Sequence, residues 1–282
     1  MFSNIHVHSS KWVNSSVGRI VYRVRRKWRH LIWTVFKNIL KKRPVATKKM
    51  LKSGLTVELD CLADWVIFRE IFEEKEYDLS INRMLSSVPD NRPFYVLDLG
   101  ANIGCFSLRV ADLIMRSKNS NQDFHITLVE GSPSTFKKLR SQMNQPLLFN
   151  KTKIVHGIVG QRRGSAEICE NPYHVLNTIF IKDSFTARQE VKYIDLFSLY
   201  NTSKEIDLLK CDVEGNELCF LENYKALLGR TRYVVMEFHH DLCNVSKCFE
   251  ILKNSGFVNL GKQSEVGNAE VFLWGKKKIR ED

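Results

Sequence analysis

From residue 94 onward the apolar positions fall into short continuous runs separated by stripes of helical period. The run at 94–99 is aromatic and β-branched and stops at Asp98 and Gly100, the pattern of a strand buried on both faces. A helix is predicted immediately afterwards, because Phe106, Val110, Leu113 and Ile114 follow Ile103 at steps of three and four. Residues 125–130 repeat the strand pattern and end in Glu130, and 133–143 form the next helix. Further strands are predicted at 153–159, 207–213 and 233–238, with an extra antiparallel strand at 164–169 after the Gln161-Arg162-Arg163-Gly164 turn. Helices are predicted over 217–228 and around 246–253, and two short strands, 257–260 and 270–274, form an antiparallel hairpin at one edge. The alternation implies an α/β domain, a doubly wound, mostly parallel, seven-stranded sheet with helices on both faces. Residues 171–190 read as irregular, and 50–90 carry no readable chemistry.

The turn between the first of these strands and its helix is the most informative element. Gly100 and Gly104 let the backbone approach a ligand without Cβ obstruction, with Asn102 between them. The spacing differs from the G-x-G-x-x-G of dinucleotide folds and no third glycine follows, which argues against NAD. Asp98 would repel a pyrophosphate but suits a ligand with an ammonium group and hydroxyls, as in S-adenosylmethionine. Glu130, at the next strand end, can accept hydrogen bonds from both ribose hydroxyls, whereas the plainer reading makes it a helix cap. The expected cofactor residues are therefore Asp98, Gly100, Asn102, Gly104 and Glu130.

The D-x-G-A-N-x-G turn at 98–104 and the K-x-D-x-E-G-x-E segment at 210–217 carry a resemblance, in order and in distance, to FkbM-type methyltransferases. These lie within the class I S-adenosylmethionine-dependent superfamily, whose sheet is Rossmann-like. The resemblance covers roughly 64–274, and the aromatic, acidic stretch 68–77 is similar to the family's lead-in segment. Cys211 stands where an aliphatic residue is more usual. The resemblance implies O-methylation of a hydroxyl on a glycan or small metabolite. Alternatives are a catalytically inactive cofactor-binding protein docked through its N-terminal arm, and an RNA methyltransferase gripping its substrate with that arm.

Ligands of open parallel sheets bind at the carboxyl ends of strands, which places Asp212, Glu214, Glu237, His239 and His240 on the acceptor side. Methyl transfer to a hydroxyl needs alignment and help in removing the proton, so Asp212, Glu214 and His239 are the expected catalytic residues, with Asp212 or His239 as base. The plainer reading of Asp212 is a cap for the helix that Glu217 begins. Asp212 and Glu214 together would hold a divalent cation, yet without a convincing third ligand no metal is expected. Asn171-Pro172-Tyr173 lacks the second proline of amino-group methyltransferases and precedes the fourth strand, so it reads as a turn.

Charge separates the chain into a basic arm, 1–57, and a domain, 58–282. The arm has 14 Lys or Arg and no acid, so the net charge of +12 comes entirely from it, the remainder being nearly neutral. Within 17–40, apolar residues from Val17 to Ile39 recur at helical steps around Trp28, with Arg and Lys elsewhere, as in a basic amphipathic helix. Its apolar runs are too short to span a bilayer, and it suits an anionic membrane surface, an organellar transit role or packing on a protein face better than nucleic acid. Seven cysteines without a C-x-x-C pair suggest reduced thiols and a cytoplasmic setting, with Cys243 and Cys248 near His239 and His240 matching no usual zinc spacing. Oligomeric state is not readable from the sequence.

Overall fold

The computed structural model describes residues 46–89, 91–117, 122–170, 187–199 and 204–277. The arm helix expected at 17–40 and the turn at 171–173 lie outside these residues. Contact density separates the chain into two units, Met1–Ala46 with Asp60–Leu62, and Thr47–Leu59 with Ala63–Asp282; of the first, only Ala46 and Asp60–Leu62 are described.

The second unit opens with a hairpin of β1 (Thr47–Met50) and β2 (Thr56–Leu59), followed by α1 (Leu62–Phe68), a π-helical turn (Arg69–Glu73) and α2 (Asp78–Ser87). Then come β3 (Phe94–Leu99), α3 (Cys105–Arg116), β4 (Phe124–Glu130), α4 (Pro133–Met143), β5 (Thr152–His156), β6 (Ser165–Glu170) and β7 (Ala187–Lys192). Helix α5 (Leu196–Leu199), β8 (Ile206–Cys211), α6 (Glu217–Asn223), α7 (Lys225–Gly229), β9 (Thr231–His239), α8 (Val245–Asn254), β10 (Phe257–Val266) and β11 (Ala269–Lys276) complete it.

Seven strands form the main sheet in the order β10-β11-β9-β8-β3-β4-β5. Pairs from β9 to β5 are parallel, and β11 runs antiparallel to both β9 and β10. The hairpin expected at one edge is present, with its second strand inserted against β9. Alternate residues of β3 feed two cores: Phe94 and Val96 pack with α2, α3 and the β1–β2 hairpin, and Leu97 and Leu99 pack with α6, α7 and α8. Both faces of the central strands are thus covered, as the continuous apolar runs require.

The boundary expected at residue 57 falls inside β2, where Leu55, Val57 and Leu59 are fully buried in the first core. The amides of Thr56 and Glu58 donate to the side chains of Gln145 and Gln142 at 2.8 and 2.7 Å, so two amide side chains satisfy the outer edge of the hairpin. The helix expected at 217–228 breaks at Tyr224, a buried ring whose hydroxyl donates to the Ile194 carbonyl at 2.9 Å. The region expected to be irregular up to residue 190 contains β7, whose polar sequence Ala-Arg-Gln-Glu-Val-Lys has β6 as its one strand partner among the described residues. A strand paired on one side and open on the other needs no apolar run, so no hydrophobic signal marks it.

At the end of the sheet opposite the strands' carboxyl termini, Asp207 is fully buried. It accepts from Arg92 at 2.5 and 2.8 Å and from the Tyr95 amide at 2.9 Å, joining β8 to β3. Removing this carboxylate strands a partly buried guanidinium and a backbone donor. Asp207→Ala should therefore lower unfolding free energy by about 3 kcal/mol in urea denaturation, while ligand affinity per folded molecule stays at the wild-type value.

Candidate active site

The strand order reverses between β3 and β8, and the cleft opens there, at the carboxyl ends of the strands. It takes in about 610 Å³ of space, part of it open solvent. Its walls include Gly100, Asn102, Glu130 and Ser132 on one side and Asp212, Val213 and Glu214 on the other.

The first wall is the β3–α3 turn. Gly100, Asn102 and Gly104 all have left-handed backbones, with φ of 72°, 50° and 88°. A Cβ on Gly100 would stand 1.6 Å from the Asp212 carbonyl oxygen, so no other residue fits between the two loops. Asn102 tolerates its conformation through its own side chain, which accepts from the Ile103 amide at 2.9 Å. Glu130 organises the wall: its two carboxylate oxygens accept from the amides of Asn102 and Ser132, both at 2.8 Å. The Ser132 hydroxyl caps α4, which displaces Glu130 from the capping role. Helix α3 starts with no side-chain cap, leaving its N-terminus to favour negative charge.

Asp98, expected against the ligand's ammonium group, lies beneath this wall. It is fully buried, accepts from the Ser107 hydroxyl at 2.7 Å, and does not line the cleft. Burial raises its pKa, against the opposing effects of Lys210 and Ser107.

Lys210 occupies the centre of the arrangement. It sits in a strand whose six residues are all buried, and its ammonium donates to the Gly100 carbonyl at 2.6 Å. The same nitrogen lies 3.4 Å from Asp212 Oδ2 and 3.6 Å from Asp98 Oδ1. Burial alone would lower its pKa, but Asp212, Asp98 and Glu237 outweigh it and hold the ammonium charged. A lone lysine inside the run Ile-Asp-Leu-Leu-Lys-Cys was the available sequence signal.

The second wall follows β8, which ends at Cys211, so Asp212 and Glu214 stand in a turn rather than on a strand. Glu214 has φ of 50°. Asn216 is the residue at the N-terminus of α6, without a side-chain cap bond, and Asp212 does not cap that helix. His239, at the end of β9, is brought to the same place: its Nε2 lies 3.3 Å from Glu214 Oε2 and 3.9 Å from Glu237 Oε1. Its Nδ1 is 2.9 Å from Oε1 of Glu217, which is fully buried and also accepts from the Gly215 amide at 3.0 Å. Desolvation acts to lower the His239 pKa, but Glu217, Glu214 and Asp212 prevail and raise it to about 10. Burial, with Asp212 next, pushes the Glu237 carboxyl well above the usual range, and His239 opposes it. Glu76, from the segment between α1 and α2, contacts the Ser264 hydroxyl; burial raises its pKa, with Asp212 adding to the rise. Glu76 and Ser264 carry no signal of this role in the sequence. His240, the next residue, turns outward to Glu270 at 2.6 Å and is exposed.

No curated protein sequence matches the chain. Among solved structures, magnesium protoporphyrin IX methyltransferase from Synechocystis PCC 6803 with bound SAM is similar at 11% identity, covering 77% of this chain and 84% of that one, with a TM-score of 0.43. A ribosomal protein L11 methylase from Lactobacillus delbrueckii subsp. bulgaricus is similar at 12% identity, covering 72% and 78%, with a TM-score of 0.39. A precorrin-6y C5,15-methyltransferase from Geobacter metallireducens GS-15 is similar at 13% identity, covering 70% and 87%, with a TM-score of 0.38. The family assignment rests instead on the sequence model of the methyltransferase FkbM domain, which matches residues 98–258 and so takes in the glycine turn, Glu130, the Lys210 segment and His239. This chain belongs to the FkbM methyltransferase family.

Proposed function

We propose that the chain is an S-adenosylmethionine-dependent methyltransferase that methylates a hydroxyl of a glycan or small metabolite. The observation that carries this reading is the facing of two walls across one cleft: a glycine turn braced by Glu130, and a cluster of carboxylates around Asp212. S-adenosylmethionine, when bound, supplies a methyl group on a sulfonium. The first wall fits it. Glu130 accepts one backbone amide on each carboxylate oxygen, which fixes the carboxylate at the strand end where it would meet the two ribose hydroxyls. The left-handed turn brings backbone close to the ligand, and the uncapped N-terminus of α3 suits its carboxylate. Asp98 contributes from below, holding the turn through Ser107 and Lys210.

On the second wall Asp212 is the general base for the acceptor hydroxyl. His239, with a pKa near 10, already carries its proton at neutral pH and orients its neighbours instead. Glu214 and Glu237 surround that imidazolium and offer acceptor oxygens of the kind that bind sugar hydroxyls. The same charge repels a phosphate backbone, which favours a small or glycan acceptor over nucleic acid. We further propose that the basic arm lies on an anionic membrane surface.

Calorimetry should show no S-adenosylmethionine binding for Glu130→Ala, whereas Asp212→Asn should bind it normally and lose about 10²–10⁴-fold in turnover. Undiminished turnover by Asp212→Asn would remove the base assignment. The acceptor is identified by mass spectrometry of glycans and metabolites from cells with and without the chain, as a mass shift of one methyl group.

His239 also sets a pH dependence of stability. Its folded pKa lies above its unfolded value of 6.5, so its contribution is complete below pH 6.5 and is lost as pH rises through about 10. Chemical denaturation across that window, in chelated buffer, should show stability falling with pH by up to about 1.4 kcal/mol per unit from this group. The decline should be smaller in His239→Gln.

For the arm, deletion of residues 1–45 leaves the β1–β2 hairpin whole. The shortened chain should keep the far-ultraviolet circular dichroism of a folded α/β domain and no longer sediment with phosphatidylserine vesicles. Retained sedimentation would assign the vesicle contact to the domain.

A further inference from the structure

We propose that Asp212, Glu214 and His239 form a site for a divalent cation of the manganese type, on the second wall of the cleft. One ligand atom from each residue can be chosen so that all lie within 4.8 Å of one another. Donors on opposite sides of an ion, at bond lengths of about 2.0–2.4 Å, stand about 4–5 Å apart, so the three already have the spread of a coordination shell.

Two further features separate this set from a patch of surface carboxylates. The first is the imidazole's far side. Glu217 is fully buried, stands outside the ligand set and is itself fixed by the Gly215 amide; it receives Nδ1 of His239 and leaves Nε2 facing Glu214 at 3.3 Å, where a bound ion would displace the proton that Nε2 carries in the ion-free site. Carboxylates placed behind an imidazole in this way orient metal-ligating histidines and select the nitrogen that binds. The second is Asp212 Oδ1, which is excluded from solvent and accepts no hydrogen bond, while Oδ2 faces the Lys210 ammonium at 3.4 Å. A buried acceptor without a donor is costly unless a ligand satisfies it.

The donor set narrows the ion. Two carboxylates suit hard cations and one imidazole suits the borderline transition series, and Mn²⁺ satisfies both. Calcium sites are built from oxygen alone. The ion's role rests on the methyl-transfer reading: at this place it would lower the pKa of an acceptor hydroxyl, with the second oxygen of Asp212 remaining to take the proton. Its binding does not depend on that reading.

The test uses the full chain, stripped with chelator and free of S-adenosylmethionine, titrated with MnCl₂ while free Mn²⁺ is followed by electron paramagnetic resonance. One ion per chain is expected, displaced by excess MgCl₂. Asp212→Asn and Glu214→Gln should each weaken uptake at least about tenfold, and Glu217→Gln, which stands outside the ligand set behind the imidazole, by about 10–100-fold. His240→Gln, whose ring pairs with Glu270, should bind as wild type. Circular dichroism checks that each variant is folded, and Glu214→Gln decides the matter if Asp212→Asn is not. No uptake by the wild-type chain, or equal uptake by folded Glu214→Gln, overturns the site. Calorimetry with S-adenosylmethionine in chelator separates the two readings. Heat without Mn²⁺ uptake removes the cation site alone, and Mn²⁺ uptake without heat removes the methyl-transfer reading alone.

Discussion

One buried ammonium holds the two halves of the cleft together. Lys210 projects from the strand at the sheet's reversal point and binds the carbonyl of Gly100, the carboxylate of Asp212 and, from below, that of Asp98. A lysine this deep is unfavourable by itself, and the surrounding acids make it tolerable. The dependence is mutual, since without that charge Asp98 would be a desolvated carboxylate supported by one serine hydroxyl. Because Gly100 also approaches the Asp212 backbone too closely for any side chain, steric contact and charge pin the same two loops. The spacing between the walls is therefore a property of the core rather than of the loops' own preferences.

The walls differ in electrostatic character. On the first, backbone amides converge on Glu130 and a helix opens without a cap, so positive dipoles surround one acid. On the second, Asp212, Glu214, Glu217 and Glu237 crowd one imidazole. In this setting the pKa values of Glu237 and His239 are both raised, the condition under which side chains take part in proton chemistry near neutral pH. The family assignment and this polarity arise independently, one from sequence similarity and the other from the arrangement of charge.

The central sheet was legible because strands buried on both faces leave continuous apolar runs, and β3, β4, β8 and β9 all read that way. Elements covered on one side were not. The β1–β2 hairpin hides behind lysines at 48 and 49, although Leu55, Val57 and Leu59 lie in the core, and β7 carries hardly any apolar residue. Strand-end reasoning singled out Glu130, Asp212 and Glu214, which line the cleft, and His239, whose ring lies 3.3 Å from Glu214. Depth was less accessible. Asp98 and Asp212 follow similar strand patterns, yet the pleat sends the first into the helix layer and the turn sends the second into the cleft. The pairing of His239 with Glu217 spans 22 residues and exists only because β8 and β9 are neighbours, a register that local periodicity does not encode.

The position of β11 bears on the order in which this molecule is made. Synthesis delivers β9 well before the strand that covers its outer edge, and β10, which emerges in between, takes the outermost place and pairs with β11 rather than β9. Until Lys276 has left the ribosome, the hydrogen-bonding groups along Tyr233–His239 have no sheet neighbour on that side. A nascent chain therefore passes through an interval in which a long apolar strand edge is open, the situation in which holdase chaperones protect against intermolecular pairing.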